Sequence, residues 1–194
     1  TTSNITDATP AAMVAHTRRR AEQNFIAETL LKADVVLGGG SRQFLPKDIP
    51  GSKRKDDRNL VEEFKAKGYA FAGDREGLAA AKDGKLLGLF ALDNLNVYLD
   101  REILRDPEVL GDFTKQPTLM EMTQKAIDIL SKNENGFFLM VEGACIDKQL
   151  HTMDWERAAY DTIEMDQAVG LARRFAARNG DTLVIATADH SHGA

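Results

Sequence analysis

Two apolar runs separated by a helical stretch constrain this chain more than any other feature of it. Phe137-Phe138-Leu139-Met140-Val141 is continuously apolar, as in a strand covered on both faces, and Thr182-Leu183-Val184-Ile185-Ala186-Thr187 is a second strand-like run. Between them Met165, Ala168, Val169, Ala172, Phe175 and Ala176 recur on one face of a helix predicted over 154–179, which Gly180 ends. Strands alternating with helices imply parallel pairing through right-handed crossovers. The predicted fold class is therefore α/β, a mostly parallel central sheet with helices on both faces.

The preceding residues extend this pattern. Thr9-Pro10 reads as an N-cap followed by proline at the first helical position, and residues 10–32 contain no further Pro or Gly, which predicts one long helix. Residues 33–37 are a short β-prone run ending in Gly38-Gly39-Gly40, where the chain can turn sharply. Asn59 and Glu62 resemble a capping box that opens a helix stopping at Gly68. Residues 69–72 and 86–91 read as short strands with room for a small helix between them. Residues 92–117 lack firm periodicity, and Pro107 and Pro117 argue against a long regular element, so this stretch is expected to be a loop-rich excursion. Thr118 and Glu121 form a second capping box, ahead of helical spacing that runs to about Lys132. At 194 residues the whole is expected to form a single α/β domain over 1–194.

Composition narrows the function. Thirty acidic against 25 basic residues give a net charge of −5, and the short clusters Arg18-Arg19-Arg20 and Lys53-Arg54-Lys55 carry no interleaved aromatics, so nucleic acid is not an expected partner. No window approaches the roughly 20 apolar residues of a membrane span. The single Cys145 cannot close a disulfide within the chain. The sequence opens Thr1-Thr2-Ser3-Asn4 without a basic or apolar leader, so any targeting peptide is expected to lie outside it. It stops shortly after an Asp-His-Ser-His cluster, which gives the expectation of a truncated domain.

Both strongly apolar runs lead into metal-capable side chains. Val141 is followed by Glu142, Asp147, Lys148 and His151, and Thr187 by Asp189, His190 and His192. In open α/β sheets the carboxyl edge of the strands is where ligands bind. Asp147 and His151 are four apart, so one helical turn puts a carboxylate and an imidazole on the same face. Carboxylate plus imidazole suits zinc, whereas Glu142 with hydroxyl or water oxygens suits magnesium. Each feature also has a plainer reading. Asp and His four apart occur on exposed helices without a metal, and Asp189-His190 reads equally as an N-cap and a surface imidazole. His16 and Arg20 read as helix surface, and Gly38-Gly39-Gly40 is a weak phosphate-loop signal because no GKS or GKT follows.

Five runs, in order along the chain, resemble the bacterial alkaline phosphatases: Asp7-Ala8-Thr9-Pro10-Ala11-Ala12, Leu37-Gly38-Gly39-Gly40, Gly136-Phe137-Phe138-Leu139, Val141-Glu142-Gly143-Ala144 through Asp147-Lys148, and Thr182-Leu183-Val184-Ile185 through Asp189-His190. The similarity is weakest over 45–117. The resemblance implies that Asp147 and His151 are ligands of a first zinc and Asp189 and His190 of a second. It implies Thr9 and Glu142 as magnesium ligands, with Asp7 reaching that ion through water. Arg20 matches the arginine that grips two phosphate oxygens as a fork, with Arg18 and Arg19 as near alternatives, and Lys148 matches a lysine that reaches phosphate through water. His192 is expected to support the zinc ligands rather than join them, and Cys145 to be a small packed residue.

What the resemblance implies for function is hydrolysis of small-molecule phosphate monoesters through a phosphoserine intermediate at a site with two zincs and one magnesium. It also implies a homodimer in a periplasmic or secreted location. The family's serine nucleophile, a bridging aspartate and one further zinc-binding histidine are not placed in this chain. The middle portion of such an enzyme, incomplete at both ends and inactive by itself, is therefore expected. Two alternatives remain open: a related metallo-phosphodiesterase, sulfatase or phosphomutase, and a non-catalytic metal-binding fragment.

Overall fold

The computed structural model describes residues 1–192. Short helices open the chain, α1 (Ala8–Ala12) and α2 (Gln23–Thr29), and a 3₁₀ turn over Leu30–Lys32 leads into β1 (Val35–Gly38). Then come α3 (Leu60–Ala66), β2 (Ala70–Ala72), α4 (Arg75–Ala80) and β3 (Leu86–Leu89). A π-helical turn at Leu99–Leu104 and the single turn α5 (Pro107–Leu110) occupy the excursion. The remaining helices are α6 (Leu119–Leu130), α7 (Ala144–His151) and α8 (Trp155–Asn179).

The three strands form a parallel sheet in the order β1-β3-β2, with Val36 opposite Leu87 and Phe71 also opposite Leu87. Strand side chains alternate between faces, and the two faces nucleate two cores. Leu37 and Leu86 pack with Leu119, Met122, Ala126 and Ala168 under α6 and α8, while Val36, Leu87 and Leu89 pack with Ala27, Leu60 and Phe64 under α2 and α3. Helices thus cover both faces of a parallel sheet, as predicted.

Of the capping predictions, that at Thr9-Pro10 fails, because α1 starts at Ala8 with Asp7 as its N-cap and places Thr9 and Pro10 inside the first turn, whereas the other two find partners. Thr118 and Glu121 form a complete capping box on α6, and the Asn59 side chain accepts from the Glu62 amide at the start of α3. Gly180 adopts φ 77° and terminates α8, where a left-handed residue costs glycine nothing.

Two larger elements also need correction. The helix expected over 10–32 is two helices separated by residues 13–22. The interrupting residues offer no apolar stripe after Val14, and Arg18-Arg19-Arg20 concentrates like charge. Thr17 instead accepts from the Arg19 amide and donates to Glu22 at 2.6 Å, a local arrangement that competes with helical bonding. The runs 137–141 and 182–187 form no regular element and join no ladder among the described residues. Leu139 and Val141 still pack against the α6 core, yet Phe138 is 75% exposed, Leu183 83% and Ile185 76%. Apolar alternation makes a segment ready for a sheet, but a strand exists only where a neighbour supplies the other half of its hydrogen bonds.

The glycine triplet has a packing role. Residues 2–5 run alongside it, with Gly39 donating to Ser3 O at 2.8 Å and Ile5 donating to Gly39 O at 3.2 Å. A Cβ on Gly39 would lie 1.9 Å from Asp93 O, and one on Gly40, whose φ is 94°, would lie 2.0 Å from Asn4 Oδ1.

Candidate metal and phosphate site

The N-terminal segment fixes the start of α7. Thr2 is fully buried; its amide donates to Glu142 O at 3.2 Å, and its hydroxyl accepts from the Cys145 amide at 3.1 Å. The Cys145 thiol is buried against the same residue, and burial pushes it up to about 12, so it is a packed, inert group rather than a nucleophile. Held this way, α7 projects Asp147, Lys148 and His151 outward, with Glu142 just ahead of its first turn.

Three imidazoles converge on one carboxylate oxygen. His192 Nε2 lies 2.8 Å, His151 Nε2 3.5 Å and His190 Nε2 3.8 Å from Asp147 Oδ1. Asp147, His151 and His192 each present a ligand atom within 4.8 Å of the others, a donor set that suits zinc. His190 also lies 3.4 Å from Asp189 Oδ2, and its amide donates to that side chain, so these neighbours form a local turn beside the cluster. His192, expected to stand behind the ligands, is thus closer to Asp147 than His190 is. Asp189 is mostly exposed and lies outside the three-residue group.

A second cluster joins α7 to the start of α1. Lys148 Nζ lies 3.2 Å from Asp7 Oδ2, Gln23 donates to Asp7 Oδ1 at 3.3 Å, and an Arg20 terminal nitrogen lies 4.0 Å from that oxygen. Arg20 is not on a helix; it lies in the turn before α2 with its side chain 70% exposed, so the guanidinium faces solvent. His16 is exposed in the same connection, and Arg18 and Arg19 are exposed too.

Glu142 forms a third, oxygen-rich group. The Thr1 hydroxyl donates to Glu142 Oε2, and Ser3 Oγ lies 3.5 Å from it. Thr9 is half-buried in the first turn of α1, two residues past Asp7. Hydroxyls around a carboxylate are hard oxygen donors of the kind magnesium takes. Sequence reasoning did not find Thr1, Ser3 or Gln23, because nothing local marks a residue that reaches its partner only across the fold.

Against known proteins, the alkaline phosphatase family model matches residues 1–194. The chain is 40% identical over 200 residues to alkaline phosphatase 4 of Bacillus subtilis, covering 99% of this chain and 39% of that one. Among solved structures, it superimposes on Thermus thermophilus alkaline phosphatase with a TM-score of 0.81 at 33% identity, over 92% of this chain and 35% of that one. A mutant alkaline phosphatase of the bacterium TAB5, solved with Mg bound, matches with a TM-score of 0.72 at 28% identity, over 93% of this chain and 47% of that one. The chain therefore spans between about a third and a half of the length of these relatives. Matched from end to end by the family model and sharing both sequence and fold with its relatives, this chain belongs to the alkaline phosphatase family.

Proposed function

We propose that this chain supplies the metal-binding and phosphate-binding parts of an enzyme that hydrolyses phosphate monoesters through a phosphoserine, within a single α/β catalytic domain. The observation that carries the reading is the convergence of His151, His190 and His192 on Asp147 Oδ1, on the same helix whose Lys148 is paired with Asp7.

In this reading the donors divide among two zincs and one magnesium, with the group Asp147, His151 and His192 as the support for the first. Asp147 and His151, joined by His192, offer the carboxylate and imidazole donors of one zinc site, and Asp189 with His190 those of the other. Glu142, Thr9 and, through water, Asp7 offer oxygen donors to magnesium. When bound, these ions polarise phosphoryl oxygens and lower the pKa of the attacking hydroxyl and water. Arg20, facing solvent, would grip two phosphoryl oxygens with its planar fork. Lys148 would place a positive charge near the same group, and its pairing with Asp7 holds the ammonium in position before substrate arrives. Charge neutralisation and alignment are most of what phosphoryl transfer requires of a protein. In this reading the nucleophilic serine comes from residues outside this sequence, and the enzyme is an exported homodimer.

Metal content and p-nitrophenyl phosphate hydrolysis, measured on this chain and on a polypeptide extended to the length of its relatives, test the proposal. Expected are about two Zn and one Mg with turnover in the longer protein, and no turnover in this chain. A longer protein that binds metal without hydrolysis, or that prefers bis(p-nitrophenyl) phosphate, overturns it.

A further inference from the structure

Asp7 lies beside both of the cations assigned above to phosphate, and a neutral side chain competes with them for its oxygens. Lys148 Nζ is 3.2 Å from Oδ2, whereas the Arg20 terminal nitrogen is 4.0 Å from Oδ1, beyond hydrogen-bond reach. What does bond Oδ1 is Gln23, whose side-chain nitrogen donates to it at 3.3 Å.

Gln23 owes its place to the core beneath α2. It stands in the first turn of that helix, at helical spacing from Ile26, Ala27 and Leu30, all of them buried, so it sits at the end of the core-facing stripe. A polar side chain there needs partners. Its Oε1 accepts from Gln43 Nε2 at 2.7 Å, Gln43 Oε1 accepts from Asn24 Nδ2 at 2.6 Å, and Asn24 Nδ2 also donates to Lys53 O at 3.3 Å. Gln43 is 5% exposed and ends the 3₁₀ turn Ser41–Gln43 that follows the glycine triplet, and its backbone carbonyl accepts from the buried Arg54 at 3.2 Å. The network is thus anchored at the carboxyl end of β1.

These amides have one polarity. Lys53 O at one end and the ionised Asp7 carboxylate at the other can only accept. Reversing any one of Asn24, Gln43 or Gln23 would set nitrogen against nitrogen or oxygen against oxygen, so the group that meets Asp7 is held as a donor. With Gln23 on Oδ1 and Lys148 on Oδ2, each oxygen of Asp7 has a donor, whereas a bidentate pair with Arg20 would need both oxygens.

We propose that Gln23 is a positioning residue for phosphate binding: by occupying Asp7 Oδ1 it keeps that carboxylate from capturing Arg20, whose guanidinium fork stays open to a phosphoryl group. The inference rests on the phosphate-binding reading of Arg20. A carboxylate clasping Arg20 would compete with phosphate for the same N–H donors.

Phenylglyoxal labelling of this chain reads the availability of Arg20, quantified by peptide mass spectrometry against the neighbouring exposed Arg18 and Arg19. Gln23→Met keeps the side-chain length without an N–H and should slow labelling of Arg20 by about two- to fivefold, the effect of one exposed ion pair. Gln23→Glu still offers Gln43 an acceptor, which protects the fold, and should slow it too. Gln23→Met/Asp7→Asn should label like Asp7→Asn, since no carboxylate remains to capture the guanidinium. In the extended, metal-loaded enzyme, Gln23→Met should weaken inhibition by inorganic phosphate by about the same two- to fivefold, and the Asp7→Asn background should abolish the difference. Arg20 labelling unchanged in both Gln23 variants, while Arg20→Ala weakens phosphate inhibition, overturns this inference alone. A loss of phosphate affinity that persists in the Asp7→Asn background also overturns it, by making Gln23 merely structural. Phosphate inhibition unaltered by Arg20→Ala would sink the phosphate reading of Arg20, and this inference with it.

Discussion

Lys148 Nζ and Asp7 Oδ2 are 3.2 Å apart although 141 residues separate them in sequence, and this pair ties helix α7 to the segment entering α1. Both side chains are partly solvent-accessible, so the pair should contribute at most about 1 kcal/mol to stability. Lys148→Ala is expected to leave the thermal midpoint nearly unchanged while weakening phosphate inhibition of the extended enzyme by about tenfold. Differential scanning calorimetry and inhibition by phosphate check the two halves.

His192 is half-buried and lies nearer Asp147 than either other histidine. Whether it binds the ion or orients Asp147, His192→Ala should lower zinc affinity about 10–100-fold, and Asp147→Ala should remove that zinc. Equilibrium dialysis against zinc provides the measurement. Unchanged affinity in His192→Ala would mean that the 2.8 Å contact serves only the apo protein.

Asp161 on α8 is buried beside Glu164, and burial, then the nearby Glu164 charge, push its carboxyl from 3.8 up to about 7. Its Oδ2 accepts from the Tyr98 amide at 3.2 Å, so it anchors the excursion. Because the folded-state value is raised, the stability of the protonated form is fully present below about pH 4 and is lost as pH rises through about 7. The unfolding free energy of the parent chain, from urea titrations, should therefore fall between those limits relative to Asp161→Asn, by at most about 4 kcal/mol. Parallel pH profiles would refute this assignment.

Leu183 and Ile185 are 83% and 76% exposed on a segment that has no ladder partner among the described residues. Such a segment invites pairing between chains. The chain is expected to bind ANS and to self-associate as concentration rises, and Leu183→Lys with Ile185→Lys should reduce both. Light scattering and ANS fluorescence read the outcome.

The legible parts of this protein were those whose physics is local. Thr118 and Glu121 announce α6 because an N-cap hydroxyl and a carboxylate three residues on satisfy free amides within one turn. Asp147 and His151 were readable as a pair because helical spacing alone brings them together. Residues 10–32 misled because the absence of Pro and Gly permits a helix without requiring one, and residues 15–22 have no apolar face to bury. The 137–141 and 182–187 runs misled for a related reason, since apolar character records a demand for burial and says nothing of whether a neighbouring strand is there to meet it.

By itself, the sequence determined the α/β class, the approximate places of β1, β3 and α6, and the chemical types gathered after Val141 and Thr187. Only the tertiary structure decided that Thr1 and Ser3 meet Glu142, that Asp7 meets Lys148, that His192 joins Asp147, and that Arg101 is buried with an N–H unanswered. Helix periodicity and capping act over three or four residues, whereas these contacts depend on how the N-terminal segment, α7 and the excursion pack against one sheet. The energy of such contacts is set by burial and distance, which no local pattern encodes.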